Sequence, residues 1–186
     1  MDRSVTEKAI LVIGGATPIG AAVVRAAAEA GYGPARQDGP IDALFVAPFA
    51  EAPKSGVAAT PADVFASTID CLLADTMHAT RTALPRLLER QGALVFSAPD
   101  ADIGIAAIAA SAAVETLVRS IAYQYGAHGI RANVIRTPGP ASPAGPEDVA
   151  RLALFLLSAD ASFMTGAIVR ADAPPDMVSA LSGEQP

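Results

Sequence analysis

Short apolar runs alternate along this chain with longer segments whose apolar residues return every three or four positions. Residues 9–13 form a first apolar run that stops at Gly14-Gly15, the pattern of a strand buried on both faces. Residues 18–30 follow, with Ile19, Ala22, Val23, Ala26 and Ala30 at helical spacing. Thr17 is suited to cap that helix, Pro18 fits its first position and Gly31 stops it. Residues 32–41 contain Gly33, Pro34, Gly39 and Pro40, which predicts a loop with room for one very short strand. A second strand is expected over 43–47, closed by Pro48, and then a loop over 49–60. A long helix or helix pair covers 62–90, with Val64, Ile69, Leu72, Leu73 and Leu84 on its apolar face. The remaining elements are a strand over 93–97, a loop over 100–104, a helix over 105–125 ended by Gly126 and Gly129, and a strand over 130–135. A short loop over 138–146 leads to a helix over 147–158 and a last strand over 167–169. From residue 174 the chain reads as a loose tail.

Strands and helices alternating at this spacing predict an α/β fold, a doubly wound parallel sheet of about five or six strands. The 186 residues suffice for one core and are too few for two ordinary domains, so 1–186 is read as a single unit. In such sheets ligands sit outside the carboxyl ends of the strands. That rule brings Gly14 to Gly20, Pro48, Ser97 to Asp102 and Arg136 to Gly139 to one edge.

Composition narrows the partners. Hydrophobic residues make up 52% of the chain and charged ones 17%, as a sheet covered on both faces requires. The net charge of -6 offers a phosphate backbone nothing, so no nucleic acid partner is expected. Two histidines and the single Cys71 cannot supply the usual zinc ligand set, and no metal is expected. Asp2, Arg3, Glu7 and Lys8 precede the first apolar run, unlike a secretion signal. The longest apolar stretch, 103–114, is short for a bilayer and includes Ser111. The expectation is a cytoplasmic protein with no membrane span.

The turn Gly14-Gly15-Ala16-Thr17-Pro18-Ile19-Gly20 lies between a strand and a helix, where small residues let a phosphate approach the helix N-terminus. The same glycines would also serve a tight turn with no ligand. Pro18 removes one N–H donor and cannot take a positive φ. An acidic partner for a ribose would stand about 20 residues on; Asp38 is near, on a strand that is barely present. His78, three residues from both Asp75 and Arg81, is either a general base or part of a solvated polar stripe. Asp100 and Asp102 follow the strand bearing Ser97 and could act as acid or base if desolvated, or merely cap a helix. Arg136 could hold an anion. His128 is given no role, and Cys71 is expected in the core.

Several segments carry a family resemblance. Val12 to Gly20 resembles the T-G-x-x-x-G-I-G motif of the short-chain dehydrogenase/reductases, with Ile13 for the Thr and Pro18 for the middle Gly. Residues 41–46 resemble the family's D-x-L-V strand, and 129–134 with Pro138-Gly139 its G-I-R-V-N strand and P-G turn. Residues 147–150, Thr165-Gly166 and Asp172 resemble its closing helix, T-G and final strand. The pieces are colinear over nearly the whole chain. The resemblance implies a Rossmann-like NAD(P)-binding fold, with Gly14, Gly15, Thr17, Ile19, Gly20, Pro138 and Gly139 as cofactor-binding candidates and Ser97 at or near the catalytic Ser.

The family's remaining catalytic residues do not carry over. Its Asn falls near Leu72, its Tyr at Ala107 and its Lys at Ser111. Realignment cannot restore them, because the only lysines are Lys8 and Lys54 and the only asparagine is Asn133. None of Tyr32, Tyr123 and Tyr125 has a Lys four residues later. Carbonyl reduction needs an acid for the forming alkoxide, which the family makes from a Tyr beside a Lys. Between Gly20 and Asp42 there is room for one helix and a loop, where the family places two strands and two helices with the adenine and ribose contacts. After Gly139 the space for the family's substrate lid is likewise short. Three readings follow: a non-catalytic partner subunit, scaffold or small-ligand binder; a non-redox catalyst using Ser97 with Asp100, Asp102 or Arg136; or an NAD(P)-dependent oxidoreductase of unusual site. The helices over 62–90 and 105–125 would supply the surface for a homo-oligomer or heteromer.

Overall fold

The computed structural model describes residues 8–48, 54–99, 104–137 and 144–171. Among these residues six strands and four α-helices follow one another, with β2 leading directly to β3: β1 Lys8–Ile13, α1 Pro18–Glu29, β2 Tyr32–Pro34, β3 Ala43–Val46, α2 Ala62–Leu88, β4 Ala93–Pro99, α3 Ile105–Tyr125, β5 Arg131–Thr137, α4 Pro146–Leu157 and β6 Ile168–Arg170. All pairings are parallel, in the order β2-β1-β3-β4-β5-β6. The expected segment over 62–90 is one helix, not a pair. The segment read as a loop over 32–41 contains β2, three residues paired to β1 through Lys8↔Tyr32 and Ile10↔Pro34.

The strands are apolar on both faces because both are covered. Phe45, Val95 and Ile135 point to the layer of α1 and α4, where they meet Val23, Ala153 and Leu156. Leu44, Phe96 and Val134 point the other way, to Leu87 of α2 and Val118 of α3. Side chains of this size contribute about 1.5–3 kcal/mol each on full burial. By length and composition residues 105–128 could cross a bilayer, with mean hydropathy 1.6. This exceeds the reach expected from 103–114 alone. In the fold the segment turns Ala110, Val114, Val118 and Ile121 inward, against the sheet and α2, which accounts for its apolar character.

Polar side chains tie the layers together. Asp42 accepts the Ala9 N–H at 2.8 Å, fixing the start of β3 beside β1. The short connection from β2 to β3 is held by Arg86 of α2, whose guanidinium donates to the carbonyls of Arg36 and Gly39. Asn133 is fully buried; its amide donates to Met164 O at 3.1 Å and its oxygen accepts the Ala167 N–H at 3.0 Å. Arg131 donates to the carbonyls of Leu156, Leu157, Ser158 and Ala161, closing the C-terminus of α4. Among the described residues, no buried side-chain polar atom lacks a hydrogen-bond partner.

Candidate active site

The strand order reverses between β1 and β3, so the crevice of a doubly wound sheet opens beyond Ile13 and Val46. The Gly14–Gly20 turn forms one wall. Thr17 caps α1: its Oγ1 accepts the Gly20 N–H at 3.0 Å and donates to Gly14 O at 2.8 Å. Its own N–H reaches Gly14 O at 2.9 Å. Pro18, next in line, has no N–H. Of the first donors of α1, the cap therefore leaves only that of Ile19.

Across the sheet, the positions aligned with the family's Asn, Tyr and Lys come together. Leu72 of α2 and Ala107 of α3 are buried and join Ala110 in a small apolar cluster, with Ile69 beside it. One helical turn past Ala107, Ser111 is also buried. Its hydroxyl shares one proton between Pro99 O and Ala107 O, both at 2.9 Å, and so fastens α3 to the end of β4. The aligned positions thus meet as hydrocarbon and a committed hydroxyl, with no group to donate a proton or to lower a neighbour's pKa.

Ser97 is not part of this group. Alternation along β4 puts it on the side of Ala93 and Val95, which pack toward α1 and α4, while Phe96 and Ala98 face α2 and α3. It is 5% exposed, and its hydroxyl points at Val46 O at 3.4 Å. Asp100, Asp102, Pro138, Gly139 and Asp172 lie outside the described residues. Arg136 stands at the end of β5 and donates through Nε to Glu115 Oε1 at 2.6 Å. Glu115 carries no motif in the sequence, yet it is a buried carboxylate one turn beyond Ser111 on a stripe that is otherwise apolar apart from that serine. That position was the available signal. His78 and His128 are exposed and away from the sheet's carboxyl edge. Cys71, expected in the core, is exposed. The inward stripe of α2 runs through Leu72, Thr76, Ala79 and Ala83, and Cys71 lies about 100° off it, one residue away on a 3.6-residue turn. Among the described residues, no three His, Cys, Asp or Glu side chains gather as metal ligands.

Comparison with known proteins agrees with this architecture. The family described as Enoyl-(Acyl carrier protein) reductase matches residues 34–145. The chain is 32% identical to the inactive 2-(S)-hydroxypropyl-CoM dehydrogenase 2 of Xanthobacter autotrophicus, over 92% of this chain and 90% of that protein. That alignment runs over 213 positions, more than the 186 residues here, so it opens gaps in this chain. An oxidoreductase of the short-chain dehydrogenase/reductase family from Burkholderia thailandensis has the same fold, with a TM-score of 0.81 at 23% identity over 97% of this chain and 99% of that one. The NADPH-bound short chain oxidoreductase of Pseudomonas aeruginosa, described as containing an atypical catalytic center, has a TM-score of 0.77 at 21% identity over 87% of this chain and 94% of that one. The six-stranded parallel sheet, the colinear motifs and a relative of this identity lead to one assignment: the chain belongs to the short-chain dehydrogenase/reductase family.

Proposed function

We propose that this chain is a non-catalytic member of its family and works as a partner subunit, in a homo-oligomer or beside a second family member. The observation that carries this reading is the Leu72–Ala107–Ala110 cluster with the committed Ser111 hydroxyl. Hydride transfer to a carbonyl leaves an alkoxide that must be protonated, and nothing in this cluster can do so. The relative from Xanthobacter is itself described as inactive, which supports the same reading. The buried Ser97, turned to the other face of β4, speaks against a non-redox reaction built on its hydroxyl. The outer faces of α2 and α3 carry Phe65, Met77 and Ile108, all exposed, and would supply the contact with a partner.

The family implies a nicotinamide dinucleotide, and the Pseudomonas neighbour is described as holding NADPH. The residues present here do not fit that group. The cap takes up the Gly20 N–H and Pro18 has none, so of the first donors of α1 only that of Ile19 is left to face a diphosphate. On the adenosine side β2 has three residues, and it ends the sheet. No step of a reaction is therefore assigned to a dinucleotide.

Two measurements test the proposal. With NADH or NADPH and a panel of ketones and enoyl thioesters, the purified chain is expected to consume no cofactor above background; turnover that disappears in Ser111→Ala or Ser97→Ala would overturn the non-catalytic reading. Sedimentation velocity is expected to show a dimer or larger species, alone or with a co-expressed family member. A strict monomer in both settings would sink the subunit reading.

A further inference from the structure

Gly14 has φ +80°, and a Cβ built on it would stand 2.2 Å from Ala47 O, a backbone atom of the segment just after β3. A Cβ on Gly20 would stand 2.1 Å from Gly14 O and 2.9 Å from Gly15 Cα. No side chain survives at such distances, and the obstructing atoms are main chain, which cannot swing aside. Helix α1 can therefore close on β1 and β3 only with glycine at both positions. Gly15 is different: the nearest atoms to its Cβ would be methyls of Val24 and Val12, at 3.8 and 3.9 Å, which is ordinary contact.

The glycines of a dinucleotide turn have separate duties. One makes the tight turn, one lets the helix pack closely, and the middle one lets the ligand's diphosphate approach the backbone. This chain keeps glycine at the two positions its own packing demands. At the middle position, the one that serves the ligand, it has Pro18, an exposed residue that adds a ring where the motif has no side chain and offers no N–H. Part of the turn's hydrogen bonding is also closed from within, since the Thr17 hydroxyl both donates to Gly14 O and accepts from Gly20 N, and the Thr17 N–H is bound to the same carbonyl.

We infer that the Gly14–Gly20 turn is a packing joint between α1, β1 and β3 that no longer takes a dinucleotide diphosphate. The inference is separate from the loss of catalysis, because a chain without the family's Tyr and Lys could still hold a dinucleotide tightly. Gly14 and Gly20 are accounted for without any ligand, so their presence in the motif is no sign of one.

Two experiments on the full chain test it. At about 1 mM NADH, NADPH or ADP-ribose, the melting temperature is expected to rise by less than about 2 °C. A larger rise, or a saturable change in NADPH fluorescence, would overturn the inference, and would leave the non-catalytic reading standing if no turnover accompanied it. For the packing half, Gly15→Ala is expected to melt within about 2 °C of the parent, while Gly20→Ala and Gly14→Ala melt more than about 5 °C lower or yield no soluble protein. A Gly20→Ala protein as stable as the parent, or a Gly15→Ala protein as damaged as Gly20→Ala, would overturn it.

Discussion

Arg131 holds four carbonyls at the end of α4 with one guanidinium, a use that a lysine's single point charge cannot copy. Its removal leaves the last turn of α4 and the Ala159–Ala161 turn without their donor. Arg131→Ala is expected to cost roughly 2–4 kcal/mol in urea unfolding, with Arg131→Lys recovering less than half of it. Tyr32 makes a different prediction. Burial first, and then the nearby Asp42 carboxylate, hold its phenol above the ordinary 10.0, while Arg131 pulls the other way. A raised pKa means the folded chain keeps the proton longer than the unfolded one. The corresponding stability is whole below pH 10.0 and is lost as the pH climbs above it. Urea midpoints compared at pH ~9 and ~11 should fall less for Tyr32→Phe than for the parent; equal losses would count against the phenol as the titrating group. The roles of Asn133 and Arg131 were not legible in the sequence, since their partners lie 25 to 34 residues away. The missing Tyr and Lys were legible, because a residue inventory needs no geometry.

Among the elements, the strongly periodic ones could be read directly and the short ones could not. Helices α1, α3 and α4 fall within one or two residues of the expected bounds, because their apolar spacing and their proline and glycine punctuation agree. Strand β2 was reduced to a possibility within a loop: Gly33 and Pro34 both speak against a strand, and only pairing with β1 makes it one. The return from β2 to β3 depends on Arg86, a residue of α2 that no local pattern connects to it. Arg86→Ala is expected to lower stability by roughly 1–2 kcal/mol and to raise amide exchange first in residues 36–41. Uniform exchange across the chain would argue that the clamp is not local.

For the whole molecule, the proposed lack of turnover is tested by returning the family's residues. Leu72→Asn, Ala107→Tyr and Ser111→Lys together would place a phenol, an amide and an ammonium into a site that is now packed apolar volume. The tyrosine alone should overpack α2 against α3, costing about 1–3 kcal/mol or more. The triple variant is expected to melt below the parent and to reduce no carbonyl; reductase turnover in it would show that the frame remained competent and that only side chains had been lost. The fold was legible in outline because binary patterning and motif order agree over nearly the whole chain. The filling of the catalytic cluster was not, because it depends on two helices meeting face to face. The end of the sheet has a consequence of its own. A terminal strand in a parallel sheet presents unpaired amides to any passing chain and invites runaway association. Here, among the described residues, both terminal strands, β2 and β6, are three residues long, and the last member of β2, Pro34, has no amide hydrogen to offer. A short edge that ends in proline thereby keeps the sheet from growing wider on its β2 side through contact with its neighbours in a crowded solution.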